Sequence, residues 1–123
     1  MALKWFARHR ARGWATCPIT QAGFVRIVSN PAFSRDAVRP HEAIQVLAAN
    51  TAARDHTFWP DAIPFADAAA SAGQRLVGHQ QVTDAYLLGL AVRQGGILAT
   101  LDQRLGALAA PKSPEREALE TVV

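Results

Sequence analysis

Four short apolar runs, Trp14 to Cys17, His56 to Trp59, Ile97 to Leu101 and Leu119 to Val123, are each flanked by proline, glycine or polar residues and separated by stretches of helical periodicity. Runs this short read as strands, and connections this long are not tight hairpins. Strands joined through helices pair in parallel. The expected fold is therefore α/β, one parallel sheet with helices on both faces. Ligands in such sheets bind beyond the carboxyl ends of the strands.

Between the strands the punctuation is specific. Residues 2 to 12 read as a helix stopped by Gly13, with Lys4, Arg8 and Arg12 along one face. A second helix is expected after Pro18, with Thr20 as N-cap and Ile19 and Phe24 as a hydrophobic staple, ending before Pro31. Arg39 to Ala53 carries Pro40 in its first turn and an apolar face of Ala43, Ile44, Leu47 and Ala48. Phe65 to Ala72 is alanine-rich and reads as helix. The strongest helical pattern runs from the candidate cap Thr83 to Arg93 and stops at Gly95-Gly96. A short helix from Gln103 to Ala109 follows the third strand.

A chain of 123 residues is expected to form one domain spanning 1–123. Its 25 alanines point to closely packed helices. The single cysteine, Cys17, permits no internal disulfide and reads as a small buried apolar residue in a cytoplasmic protein. No apolar run is long enough for a membrane span. The net charge of +3 conceals a segregation: residues 1 to 35 hold six basic side chains and no carboxylate, whereas the remainder holds seven basic and ten acidic residues, a net −3.

Two acids stand where such a fold does chemistry. Asp102 directly follows the third strand, and Asp84 lies in the first turn of the helix before it. Each has a plain structural use, Asp102 as an N-cap and Asp84 as a complement to the helix dipole. Strand C-termini and helix N-termini lie at the same edge of a parallel layer, so the two carboxylates can converge. Converging carboxylates repel unless a cation neutralises them, and oxygen ligands suit Mg²⁺ or Mn²⁺. Such an ion supports phosphodiester hydrolysis.

The segment Gly78-His79-Gln80-Gln81-Val82-Thr83-Asp84-Ala85-Tyr86-Leu87-Leu88, with Gly95-Gly96-Ile97-Leu98-Ala99-Thr100-Leu101-Asp102, closely resembles the C-terminal half of VapC-type toxins of the PIN-domain ribonuclease family. Trp14 to Arg26 resembles the family's second strand and following helix, and His56 to Asp61 its middle. The resemblance runs from about Trp5 to the C-terminus. It implies a PIN-like fold and a Mg²⁺-dependent endoribonuclease toxin of a type II toxin–antitoxin system, acting on RNA such as tRNA or rRNA. A homodimer and neutralisation by a VapB-like antitoxin are further expectations. On this resemblance Asp84 and Asp102 are metal-site acids, and Thr100 is a small polar residue beside the latter.

Two positions depart from the family. Its members open with a strand bearing an Asp, and this chain opens at what corresponds to the following helix, so the N-terminal strand and that acid have no counterpart. Gln21 stands where a Glu is common; it shares a helical face with Phe24, Val25 and Val28 and is expected to point inward. Both changes weaken the expected hold on Mg²⁺, so the chain as it stands is expected to be an impaired nuclease. The chain then reads either as the product of a gene with an additional upstream coding segment or as a degenerate remnant. The alternative to an enzyme is an inactive PIN-like module that binds antitoxin or RNA without cleavage. A phosphate-binding α/β domain is disfavoured by the absence of a Gly-rich loop.

Lesser features have ordinary expectations. His79 reads as a loop or surface histidine, and the row Lys4, Arg8, Arg12 as a solvated face. Trp5, Trp14, Phe58 and Trp59 read as core or dimer-interface residues. Asp36, Asp55, Asp61 and Asp67 read as turn or cap residues.

Overall fold

The computed structural model describes residues 2–33 and 35–122, and they fall into two compact units. One comprises Ala7–Asp61; the other comprises the residues up to Phe6 and from Ala62 onward. The elements in chain order are α1 (Ala2–His9), β1 (Trp14–Thr16), α2 (Pro18–Val28), α3 (Pro40–Thr51), β2 (His56–Phe58), α4 (Phe65–Ala68), α5 (Val82–Gln94), β3 (Leu98–Thr100), α6 (Pro114–Glu117) and β4 (Leu119–Thr121), with 3₁₀ turns between several of them. The class is mixed α/β with parallel strands.

In the Ala7–Asp61 unit, β1 pairs in parallel with β2, Trp14 opposite His56 and Thr16 opposite Phe58, and α2 and α3 form the crossover. Gly13 ends the first helical segment at φ +93°, a conformation that favours glycine. Its successor Trp14 donates its amide to the Asp55 carbonyl, which starts the ladder. The expected N-cap of α2 is corrected. Proline's fixed φ suits the first helical position, so the helix begins at Pro18 and Cys17 becomes the cap. Thr20 sits in the first turn, its hydroxyl accepting from the Cys17 amide at 2.9 Å. Cys17 is buried, as is Ala43 on α3.

In the other unit, β3 pairs in parallel with β4, Leu98 opposite Leu119 and Thr100 opposite Thr121. Ala69, Ala72, Ala85, Leu88, Leu105, Leu108, Ala109 and Ala118 form its core, with α5 contributing Ala85 and Leu88. Small residues let backbones approach. A Cβ placed on Gly89 of α5 would lie 1.7 Å from the Ala68 carbonyl oxygen of α4. Gly95 closes α5 at φ +69°, and the Gly96 amide returns to the Ala91 carbonyl at 2.9 Å, satisfying helix-end acceptors in a Schellman arrangement. Trp5 donates its indole N–H to Glu120 on β4 at 2.8 Å.

Several sequence expectations need correction. The described strands form two two-stranded sheets, β1 with β2 and β3 with β4, where one sheet was expected. Ile97 to Leu101 was expected as a buried strand, yet Ile97, Ala99 and Leu101 are exposed and Leu98 and Thr100 half-buried. A continuous apolar run leaves the number of buried faces open, and here one face packs on the core. Helix α4 is one turn rather than two, and the segment after β3 is a 3₁₀ turn, Gln103–Leu108. Thr83 is not a cap, because α5 begins at Val82. None of Trp5, Trp14, Phe58 and Trp59 is fully buried, which corrects the core half of their expected placement and does not touch the dimer-interface half. Val123, expected in the last strand, lies outside the described residues.

The α4–α5 contact yields a direct test. Gly89→Ala forces the Ala68 backbone aside and is expected to lower unfolding free energy by about 3 kcal/mol in urea denaturation. Gly73→Ala, where the added Cβ meets nothing within 4 Å, is expected to change it by less than about 0.5 kcal/mol.

Candidate active site

Asp84 occupies the first turn of α5, and its neighbours fix its direction. Ala85 and Tyr86 are buried, so the helix is pinned on the side away from Asp84. Tyr86 also stacks on Phe65, with ring centroids 5.9 Å apart. Asp102 follows the last residues of β3 and is held by backbone on both sides. Its amide donates to Thr100 Oγ1 at 3.0 Å, and its Oδ1 accepts from the Arg104 amide at 2.9 Å, making it the N-cap of the 3₁₀ turn. Leu105, buried one residue later, anchors that turn.

Asp84 and Asp102 line one open cleft of about 410 Å³, together with Val77, His79, Gln81, Arg104 and Leu105. The two carboxylates influence each other. Burial, then the negative charge of Asp102, push the Asp84 carboxyl above the usual carboxylate range, with Arg104 partly offsetting the rise. The Arg104 side chain and then its backbone N–H hold Asp102 below that range. Arg104 forks onto Asp102, Nε to Oδ1 at 3.0 Å and a terminal nitrogen to Oδ2 at 2.9 Å.

The convergence expected for Asp84 and Asp102 is therefore present. Thr100 is half-buried and acts through the Asp102 backbone, while His79, exposed as expected of a surface histidine, sits on the lip of the same cleft. Arg104 was missed, although the Asp-x-Arg spacing at a strand end carries the signal: a cap residue and the residue two beyond it share one turn.

Gln21 belongs to the Ala7–Asp61 unit. Its amide donates to Thr16 Oγ1 at 2.9 Å, and that oxygen lies 2.7 Å from His56 Nε2. Asp55, in a turn as expected, also accepts from the Trp14 indole at 2.8 Å and from Arg10 Nε at 2.8 Å. These bonds keep the Asp55 carboxyl below the usual range, Arg10 contributing most.

Three known proteins are similar to this chain in sequence. Ribonuclease VapC39 of Mycobacterium tuberculosis is 44% identical over 104 residues, covering 85% of this chain and 75% of the relative. Ribonucleases VapC44 and VapC38 of the same organism are each 42% identical, over 110 and 113 residues, covering 89% and 90% of this chain and 77% and 78% of those proteins. The chain belongs to the VapC-type PIN ribonucleases. No family model matches it.

In this VapC-type chain the donor set fits a hard divalent cation: two carboxylates face one cleft, each with lone pairs not taken by backbone donors, and their mutual repulsion is the charge such an ion neutralises. Among the described residues no group of three or more His, Cys, Asp or Glu side chains gathers as a metal site. An ion held by two acids alone would take its remaining ligands from water and substrate phosphate. No helix among the described residues is long and apolar enough to cross a membrane.

The raised pKa of Asp84 makes its ionised form a cost to the fold. Its folded value exceeds the unfolded one, so the group favours the fold fully below the unfolded value of about 3.8, and that contribution is lost as pH rises through the folded value. In EDTA at pH 8, Asp84→Asn is expected to raise the thermal midpoint above wild type. The difference should shrink as pH falls toward 4; a midpoint lowered by the substitution at every pH would contradict the assignment.

Proposed function

We propose that this chain is an endoribonuclease toxin of a VapBC-type system, in which Asp84 and Asp102 hold Mg²⁺ or Mn²⁺ and cleave structured RNA such as tRNA or rRNA. The observation that carries the reading is the pair of mutually repelling carboxylates in one cleft, found in a chain 42–44% identical to three VapC ribonucleases. The match to VapC38 covers 113 residues, longer than either compact unit, which supports reading both as one PIN-like domain.

The ion, when bound, supplies Lewis-acid activation of water and neutralises charge developing on the phosphoryl group. Asp84 and Asp102 are the anionic ligands. Thr100 Oγ1 holds the Asp102 backbone amide and the Arg104 amide holds its carboxylate, so the carboxylate needs little reordering when a cation arrives. Gln21, at the position where the family commonly has a Glu, is an amide that supplies no negative charge, and its N–H already serves Thr16. The active protein is expected to bind its ion weakly without RNA.

A partner of VapB type is part of the same proposal, as is a homodimer. Ile27, Phe33, Ile44, Val46 and Phe58 of the Ala7–Asp61 unit are exposed. Apolar surface of this kind suits protein partners in solution. The enzyme reading is preferred to an inactive binding module because two repelling acids are costly to keep in one cleft, and a module that binds without cleaving gains nothing from them. Cytoplasmic action follows from the proposed substrate.

Cleavage of a tRNA and rRNA mixture by the purified protein in Mg²⁺ is expected to stop in EDTA and to fall on the order of 100-fold in Asp84→Asn and in Asp102→Asn. Undiminished cleavage in EDTA or in either variant would overturn the metal assignment.

A further inference from the structure

The Arg104 side chain lines the cleft beside Asp102, and the metal reading gives that side chain no role. Its guanidinium sits on Asp102 with two hydrogen bonds, at 3.0 and 2.9 Å, and so occupies acceptor sites of the carboxylate that the metal reading assigns to the cation. The Asp102 carboxylate has about four lone-pair sites. Three are occupied: Oδ1 receives the Arg104 amide and Nε, and Oδ2 receives a terminal guanidinium nitrogen. Only the amide bond is fixed by backbone.

The hold is weak by its surroundings. The Arg104 side chain is 79% exposed and that of Asp102 35% exposed, and an ion pair so open to water contributes little. A divalent ion brings twice the charge to the same oxygens. Arg104 is therefore displaceable, and when it leaves, the Arg104 amide still fixes Asp102. The freed guanidinium stays within reach of the cleft, because its own backbone is part of the turn that carries Asp102. A planar fork that fits a carboxylate at two points fits a phosphate in the same way.

We infer that Arg104 is a positioning residue that couples ion binding to RNA binding: it covers Asp102 when no divalent ion is present, and takes a backbone phosphate of the RNA once the ion has displaced it. The inference rests on the reading of Asp84 and Asp102 as metal ligands. It assigns the order of events at a site with few anionic ligands. Without RNA, arginine and ion compete for one carboxylate; with RNA, the arginine gains a phosphate and the ion loses a competitor. Ion and RNA then bind with positive coupling.

The experiment uses the whole chain. Mn²⁺ affinity without RNA is measured from the electron paramagnetic resonance of free Mn²⁺, for wild type, Arg104→Gln and Arg104→Lys, with Asp102→Asn as the control for the site. Affinity for a fluorescein-labelled phosphorothioate RNA is measured by anisotropy over a range of salt, with and without Mn²⁺. Arg104→Gln is expected to bind Mn²⁺ up to about fivefold more tightly than wild type. In Mn²⁺ it is expected to bind RNA more weakly, with a plot of log affinity against log salt shallower by about 0.7, the signature of one lost phosphate contact on a single strand. Arg104→Lys, which keeps the charge but not the fork, is expected to restore the salt slope.

Equal or weaker Mn²⁺ binding by Arg104→Gln, with wild type binding Mn²⁺ through Asp102, overturns the inference alone. An unchanged salt slope overturns its phosphate step. A wild type that binds no Mn²⁺, with or without RNA, overturns the metal reading and this inference together.

Discussion

Two carboxylates in one cleft repel each other, and the local structure around Asp84 and Asp102 consists of the means that hold them there. Asp84 cannot retreat because Ala85 and Tyr86, beside it on α5, are buried. Asp102 cannot retreat because the Thr100 hydroxyl and the Arg104 amide bind it from either side along the chain. Behind both lies an alanine-rich core in which Gly89 lets α5 lie against the α4 backbone. The pair resolves its repulsion unequally. Asp102 takes the guanidinium and stays ionised, and Asp84, more buried and facing a negative neighbour, holds its proton more tightly.

This much was legible in the sequence, for a physical reason. Helix α5 has a long periodic pattern with a Gly-Gly stop, and its C-terminal end follows from the φ preference of Gly95. The strand before Asp102 is a continuous apolar run. Once those two elements are placed, parallel topology brings a helix start and a strand end to one edge. The relatives, 42–44% identical, agree with the family that the Val-Thr-Asp-Ala-Tyr and Thr-Leu-Asp segments suggest.

What was not legible depended on side-chain partners distant in sequence or on competition between neighbouring signals. Thr20 is a good N-cap residue, but Pro18 is a better first helical residue, and the proline sets the boundary. Ile97 to Leu101 is apolar throughout, and periodicity cannot say that only one face meets the core. Asp55 is the turn residue it was expected to be, but nothing near it in sequence reveals that Arg10 and Trp14 both donate to it. Gln21 had an expected direction but no expected partner; its bond to Thr16, five residues back, uses the hydroxyl that also meets His56 across the β1–β2 pair. Arg104 was overlooked because a charged residue in a turn is by default a solvated one.

The central claim is that Asp84 and Asp102 form one electrostatically coupled pair. The measurement that reaches it most directly is a carboxyl-resolved NMR titration of both aspartates in metal-free protein, repeated in Asp102→Asn. The account predicts that Asp84 titrates above the ordinary carboxylate range and Asp102 below it, and that the substitution lowers the Asp84 midpoint. Two ordinary, independent titrations, with Asp84 unmoved by the loss of the Asp102 charge, would contradict it.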